Sequence, residues 1–163
     1  MSVVTFALRD TDLDRALDAF RRGLAIAQDS GSRCSELATS LASFETGHGD
    51  IASALDHVTL AIRNYHDSGS TALMHGPLAV VAVLFDRLGR HEAAATIAGL
   101  AFDPVTAVFV PEIRSAIAHL REVLGDQTYG SLARKGETMT TAAMVTYAYD
   151  QIDQARTELE HPG

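Results

Sequence analysis

Apolar residues recur at intervals of three and four through almost the whole chain, and that regularity restricts it to packed helices. From Asp12 to Gln28 they fall at Leu13, Ala16, Leu17, Phe20, Leu24 and Ala27, with Asp14, Asp18, Arg21 and Arg22 on the opposite side. The spacing returns in Ile51, Ala54, Leu55, Val58, Ala61, Ile62 and Tyr65. It returns again in Ile113, Ile117, Leu120 and Leu124, and last in Val145, Tyr149, Ile152 and Leu159. No stretch alternates polar and apolar residues over the length that a strand needs. The run from Ala79 to Phe85 is apolar and partly β-branched, but Leu73-Met74 before it and Asp86-Arg87-Leu88 after it extend it to helical length. Pro77 stands where it starts or kinks that helix.

Short glycine-bearing turns separate these stretches, as antiparallel neighbours require: Ser30-Gly31-Ser32, Gly47-His48-Gly49-Asp50, Ser68-Gly69-Ser70, Gly89-Arg90, Gly125-Asp126 and Gly136-Glu137. The pattern predicts eight helices, near 11–29, 33–46, 51–67, 71–88, 91–101, 111–124, 127–135 and 140–159. A break at Phe102-Asp103-Pro104-Val105 divides about 10–101, the first five helices, from a C-terminal helical cap at about 110–160. Neither part looks able to stand alone, so residues 1–163 are read as one domain.

Charge and composition remove several classes of function. The 13 basic and 21 acidic side chains leave a formal charge of −8, which repels nucleic-acid backbones and anionic lipid when the bases do not cluster. Cys34 is the one cysteine, so no intramolecular disulfide forms, and it reads as a small buried hydrophobe or a bystander at a helix start. The N-terminal decapeptide lacks a signal peptide's basic region, and the longest apolar run, Leu78 to Phe85, falls far short of the ~20 residues of a membrane span. A cytoplasmic chain is the expectation.

An internal repeat sharpens the fold class. Thr11-Asp12-Leu13-Asp14-Arg15-Ala16, Gly49-Asp50-Ile51-Ala52-Ser53-Ala54 and Gly89-Arg90-His91-Glu92-Ala93-Ala94 each open a helix. Ala16, Ala54 and Ala94 are spaced by 38 and 40 residues. Helix pairs of this period, with small residues where helices cross, follow the tetratricopeptide pattern with a lengthened loop. The expected fold is all-α, a tetratricopeptide-like antiparallel array forming a right-handed α-α superhelix. The large aromatics usual in the first helix of such repeats are replaced by Ala38, Leu41 and Glu45, and by Leu78, Val81 and Phe85.

Two longer stretches carry a family resemblance. Arg87-Leu88-Gly89-Arg90-His91-Glu92-Ala93-Ala94-Ala95-Thr96-Ile97-Ala98-Gly99-Leu100 is one, and Leu124-Gly125-Asp126-Gln127-Thr128-Tyr129-Gly130-Ser131-Leu132-Ala133-Arg134-Lys135-Gly136 is the other. Together they resemble the tetratricopeptide-like C-terminal helical region of actinobacterial STAND-type ATPase regulators, which are joined to LuxR-type DNA-binding domains or to nucleotide cyclases. Leu132 stands where that family often has tryptophan, and Ala143 where an acidic capping residue is frequent, with Thr140 as the cap. The resemblance implies a non-catalytic sensor or scaffold domain of a larger signalling or transcription-regulating protein. No Gly-Lys-Ser/Thr of a nucleotide-binding loop occurs in the chain.

Other constellations fail on their chemistry. Gly47-His48-Gly49-Asp50-Ile51-Ala52 fits a dinucleotide fingerprint in form, but what precedes it is an amphipathic helix and not a buried strand. Asp10, Asp12 and Asp14 begin a calcium loop, yet Arg15 and Arg21 occupy positions that need glycine and glutamate. His48, His57, His66 and His75 recur every nine residues, which on one helix turns successive rings to opposite faces; the seven histidines read as solvated. No nucleophile elbow or paired carboxylates can be assigned, so no catalytic residue, metal ligand or cofactor is expected.

What remains is recognition. The first helices of successive repeats line a superhelix's concave face, which would present Glu36, Thr39, Ser43 and Thr46 from one helix and Ala79, Val83, Asp86 and Arg87 from the next. The expected partner is a protein or peptide, the upstream domains of the parent chain included, or a second copy through an uncapped terminal helix. The alternative is a small-molecule sensor, with its ligand between the repeat and terminal helices near Phe102, Phe109 and Tyr129.

Overall fold

A computed structural model describes residues 13–29 and 35–161. The N-terminal decapeptide, Asp12, the Ser30-Gly31-Ser32 turn and Cys34 lie outside the described residues, as do the side chains of Leu13, Asp14, Ala16, Ala27 and Glu36. The chain is all-α: helices α1 (Leu13–Asp29), α2 (Ser35–Gly47), α3 (Ile51–Asp67), α4 (His75–Arg87), α5 (His91–Ala101), α6 (Thr106–Phe109), α7 (Glu112–Leu124), α8 (Asp126–Glu137) and α9 (Thr141–Glu160). A single 3-10 turn spans Thr71–Met74, and no strand occurs among the described residues.

Three turns are built alike. After α2, α3 and α4 a glycine takes positive φ (Gly49 83°, Gly69 72°, Gly89 79°), which costs a side-chain-bearing residue steric strain. The next amide closes back on the helix: Asp50 N–H to Glu45 O at 3.0 Å, Ser70 N–H to Tyr65 O at 2.9 Å and Arg90 N–H to Phe85 O at 2.9 Å. These are Schellman closures, and they satisfy carbonyls that each helix end would leave open.

The centre of the molecule is α4. Every residue from Pro77 to Phe85 is buried, so this helix is apolar on all sides and needs neighbours on all sides. It contacts α2, α3, α5, α6 and α7. Pro77 explains why the α-helix starts at His75 and not at 71: its ring would clash with the carbonyl of Leu73, so the preceding residues tighten into the 3-10 turn. The segment 102–111, read from sequence as a break, contains the short helix α6, opened by Asp103.

Contacts between helices define two layers. In one, α2, α4 and α7 lie side by side; in the other, α9 packs against α3 and α5, and α5 against α8. The helix-after-helix order is that of an all-α array, and α9 packs on α3 and α5. Thr140 caps α9, its hydroxyl accepting from Ala143 N–H at 3.1 Å. Arg156 anchors the far end, reaching Asp56 Oδ1 at 3.0 Å and Thr59 Oγ1 at 3.2 Å. Arg90 holds it from α5's side through Glu158, Gln151 and Gln154 at 2.8–3.0 Å. No helix among the described residues is long and apolar enough to cross a membrane.

Candidate functional site

A cleft of about 760 Å³ opens between α2, the 3-10 turn with the start of α4, and the 102–110 segment. Pro104 and Pro111 bracket Val105-Thr106-Ala107-Val108-Phe109-Val110, a run too short and too apolar to make an amphipathic helix of its own. Thr106, Ala107 and Val110 turn inward, which leaves Val105, Val108 and Phe109 outside at 68%, 75% and 77% exposure. Leu73, half exposed, lines the cleft from the 3-10 turn. Thr39, Ser40 and Ser43 bring hydroxyl groups from α2.

The segment's entry is held by Asp103. Its Oδ1 accepts the Thr106 backbone N–H at 2.7 Å and its Oδ2 the Thr106 hydroxyl at 3.0 Å, while His75 Nδ1 sits 3.1 Å from Oδ2. The backbone hydrogen bond, then the hydroxyl and the imidazole, stabilise the charged form and hold this carboxyl below the usual carboxylate range. His75 also lies in the cleft wall, so this pair joins the start of α4 to the 102–110 segment.

The expected groove is only partly present. Thr39 and Ser43 do line the cleft. Thr46, Ala79 and Val83 do not: they are 2%, 0% and 6% exposed, because α6 and α7 pack on the α4 face that an open superhelix would leave free. Between Ser43, Thr46, Val83 and Arg87 there remains a crevice of about 10 Å³, room for about one water. Arg87 is exposed, and Asp86 belongs to another cluster at the opposite end of α4. Glu36 lies in α2 with its side chain outside the described residues. Of the aromatic residues named for a sensor, only Phe109 reaches the cleft. Phe102 lies under the Arg114 guanidinium at 5.5 Å, and Tyr129 is buried beneath Arg121 at 4.6 Å, burial pushing its phenol upward.

The histidines are not simply solvated, which corrects the sequence reading. His57 Nδ1 contacts the buried Glu45 at 2.6 Å, and Arg21 reaches the other oxygen of that carboxylate at 3.0 Å and Asp50 at 2.9 Å. His48 stacks on Phe44 at 4.3 Å. His91 and His119 converge on Asp86, the one group of three or more metal-type ligands among the described residues. The Glu45 and His119 contacts join residues distant in sequence, so spacing could not reveal them. The signal that was available for the cleft was the proline-bracketed apolar run at 104–111, whose residues fit no helical face.

No family model, no curated protein and no solved structure matches this chain.

Proposed function

We propose that this is a non-catalytic recognition domain whose cleft receives an apolar segment of a protein partner. The observation that carries the reading is the rim: Val105, Val108 and Phe109 are each more than two-thirds exposed beside a formed apolar cavity. A small molecule inside the cleft would leave Val108 wet, since Val108 is not in its wall. A helix or extended segment laid across the opening would cover cavity and rim together, in the manner of a helix seated in a groove. The resemblance to regulatory ATPases would make the upstream domains of a parent chain natural candidates for that partner.

Site-directed photocrosslinking tests this. A benzoylphenylalanine at Phe109 in the native host is expected to yield a discrete protein adduct that Leu73→Asp abolishes, while the same probe at Lys135, on α8 and away from the cleft, yields none. Equal labelling from both positions, or none from Phe109, would contradict it.

A second reading follows from the cavity's size. About 760 Å³ falls within the ~300–1,000 Å³ of ligand pockets, and Thr39, Ser40 and Ser43 of α2 and the His75–Asp103 pair all line it. Saturable heat stabilisation by a metabolite, with the Val108 methyl signals unmoved, would favour that reading over a protein partner.

A further inference from the structure

Three ligand-type side chains meet where α4 turns into α5, at the end of α4 away from the cleft. Asp86 precedes the Gly89 turn, His91 opens α5 after it, and His119 projects from α7. One ligand atom from each lies within 4.8 Å of the other two. Asp86 Oδ1 stands 2.7 Å from His119 Nδ1 and 3.9 Å from His91 Nε2, and the two rings meet edge to face at 5.7 Å.

Simple charge pairing accounts for half of this arrangement. A hydrogen bond joins Asp86 to His119, but His91 turns its Nε2 toward the same oxygen from a distance too long for one. Two imidazoles converging on one carboxylate, only one of them bonded to it, is what a shared central ligand would organise. Ligands bound about 2.0–2.2 Å from a tetrahedral ion lie roughly 3.3 Å from one another. The shorter contact must therefore open and the longer one close by about half an ångström each. His119 has the freedom to move, its side chain being half exposed. The Asp86 side chain is 12% exposed and so is already fixed in place.

We infer that Asp86, His91 and His119 bind a divalent transition-metal ion of the zinc type, with water completing its coordination. Two nitrogens and one oxygen select this class, since magnesium and calcium take oxygen ligands almost alone. The ion would tie α4 and α5, which belong to the repeat half, to α7 of the terminal half.

The test uses the metal-free, untagged full chain, with zinc followed by calorimetry and cobalt by its visible absorption. One equivalent is expected to bind, with cobalt bands of nitrogen and oxygen ligation and no thiolate charge transfer. His91→Ala and His119→Gln should each weaken zinc about tenfold or more, given that losing even an outer-shell partner weakens metal sites about 10–100-fold. Zinc should raise the melting temperature of the parent chain and leave that of the double variant unmoved. Magnesium should do neither. Should His91→Ala fail to fold, the half-exposed His119→Gln decides alone. Absence of a stoichiometric zinc site, or zinc binding unchanged in His119→Gln, would overturn the inference.

Discussion

Glu45 has no exposed side-chain surface, yet it carries a carboxylate, and its neighbours explain how it is tolerated. Arg21 from α1 and His57 from α3 each take one of its oxygens. Glu45→Ala removes the acceptor for both and leaves a cavity. Arg21 is 43% exposed and can regain water, so the cost should be about 2 kcal/mol and not the 3–5 kcal/mol of a sealed pair. Glu45→Gln, which keeps the volume and one acceptor, should cost less; urea unfolding of both variants checks the order. Asp103 offers a second test. Its carboxyl is held low in the folded chain, so its contribution to stability is complete above the ordinary carboxylate range. That contribution is lost as pH falls through the lower value at which the folded group protonates. The melting-temperature difference between the parent chain and Asp103→Asn should therefore be constant at neutral pH and vanish in acid. Glu45 was conspicuous in the sequence as a charge in an aromatic's place, but its partners lie 24 and 12 residues away and only the fold brings them together.

At the scale of elements, most of the chain was legible. Among the described residues, helix limits read from three-and-four spacing agree with the structure to within about two residues, except that the helix expected from 71 begins as a 3-10 turn and becomes α-helical at His75 and that the short helix α6 was not read, and the Gly49, Gly69 and Gly89 turns lie where expected. Two features were hidden. The Gly136-Glu137 pair, read as a turn, is the last part of α8, and Gly136 is buried against the Thr96 carbonyl of α5. About one turn away on the same crossing, Gly99 of α5 meets the backbone of Ala133 in α8. A Cβ at either glycine would overlap backbone atoms of the facing helix, which cannot swing aside as a side chain can. Helix propensity favours alanine over glycine by about 1 kcal/mol, but overpacking of this kind costs about 1–3 kcal/mol or more. Gly136→Ala should therefore destabilise, by about 1–3 kcal/mol in urea unfolding, whereas Gly130→Ala on the same helix, with only the far end of Arg134 nearby, should be neutral or stabilising. Spacing shows which face of a helix is apolar; it does not show how close its partner comes.

The whole molecule departs from an open superhelix in two ways, and both cover surface that an open array would expose. The packing of α6 and α7 on α4 closes the groove through Ala79 and Val83, and the return of α9 covers α3 and α5. What stays open is the cleft around Leu73 and Phe109. Because Phe109 is largely exposed and Leu73 half exposed, Leu73→Asp with Phe109→Asp should change stability by no more than about 0.5 kcal/mol per site while removing the apolar rim. The most direct measurement is fluorescence titration of the folded chain with anilinonaphthalene sulfonate, alongside near-ultraviolet circular dichroism to verify intact packing. A preformed apolar cleft should take up about one dye per chain saturably, and the double variant should take up none with its dichroism unchanged. No uptake by the folded parent chain, or equal uptake by the variant, would contradict the assignment of this cleft as the docking site.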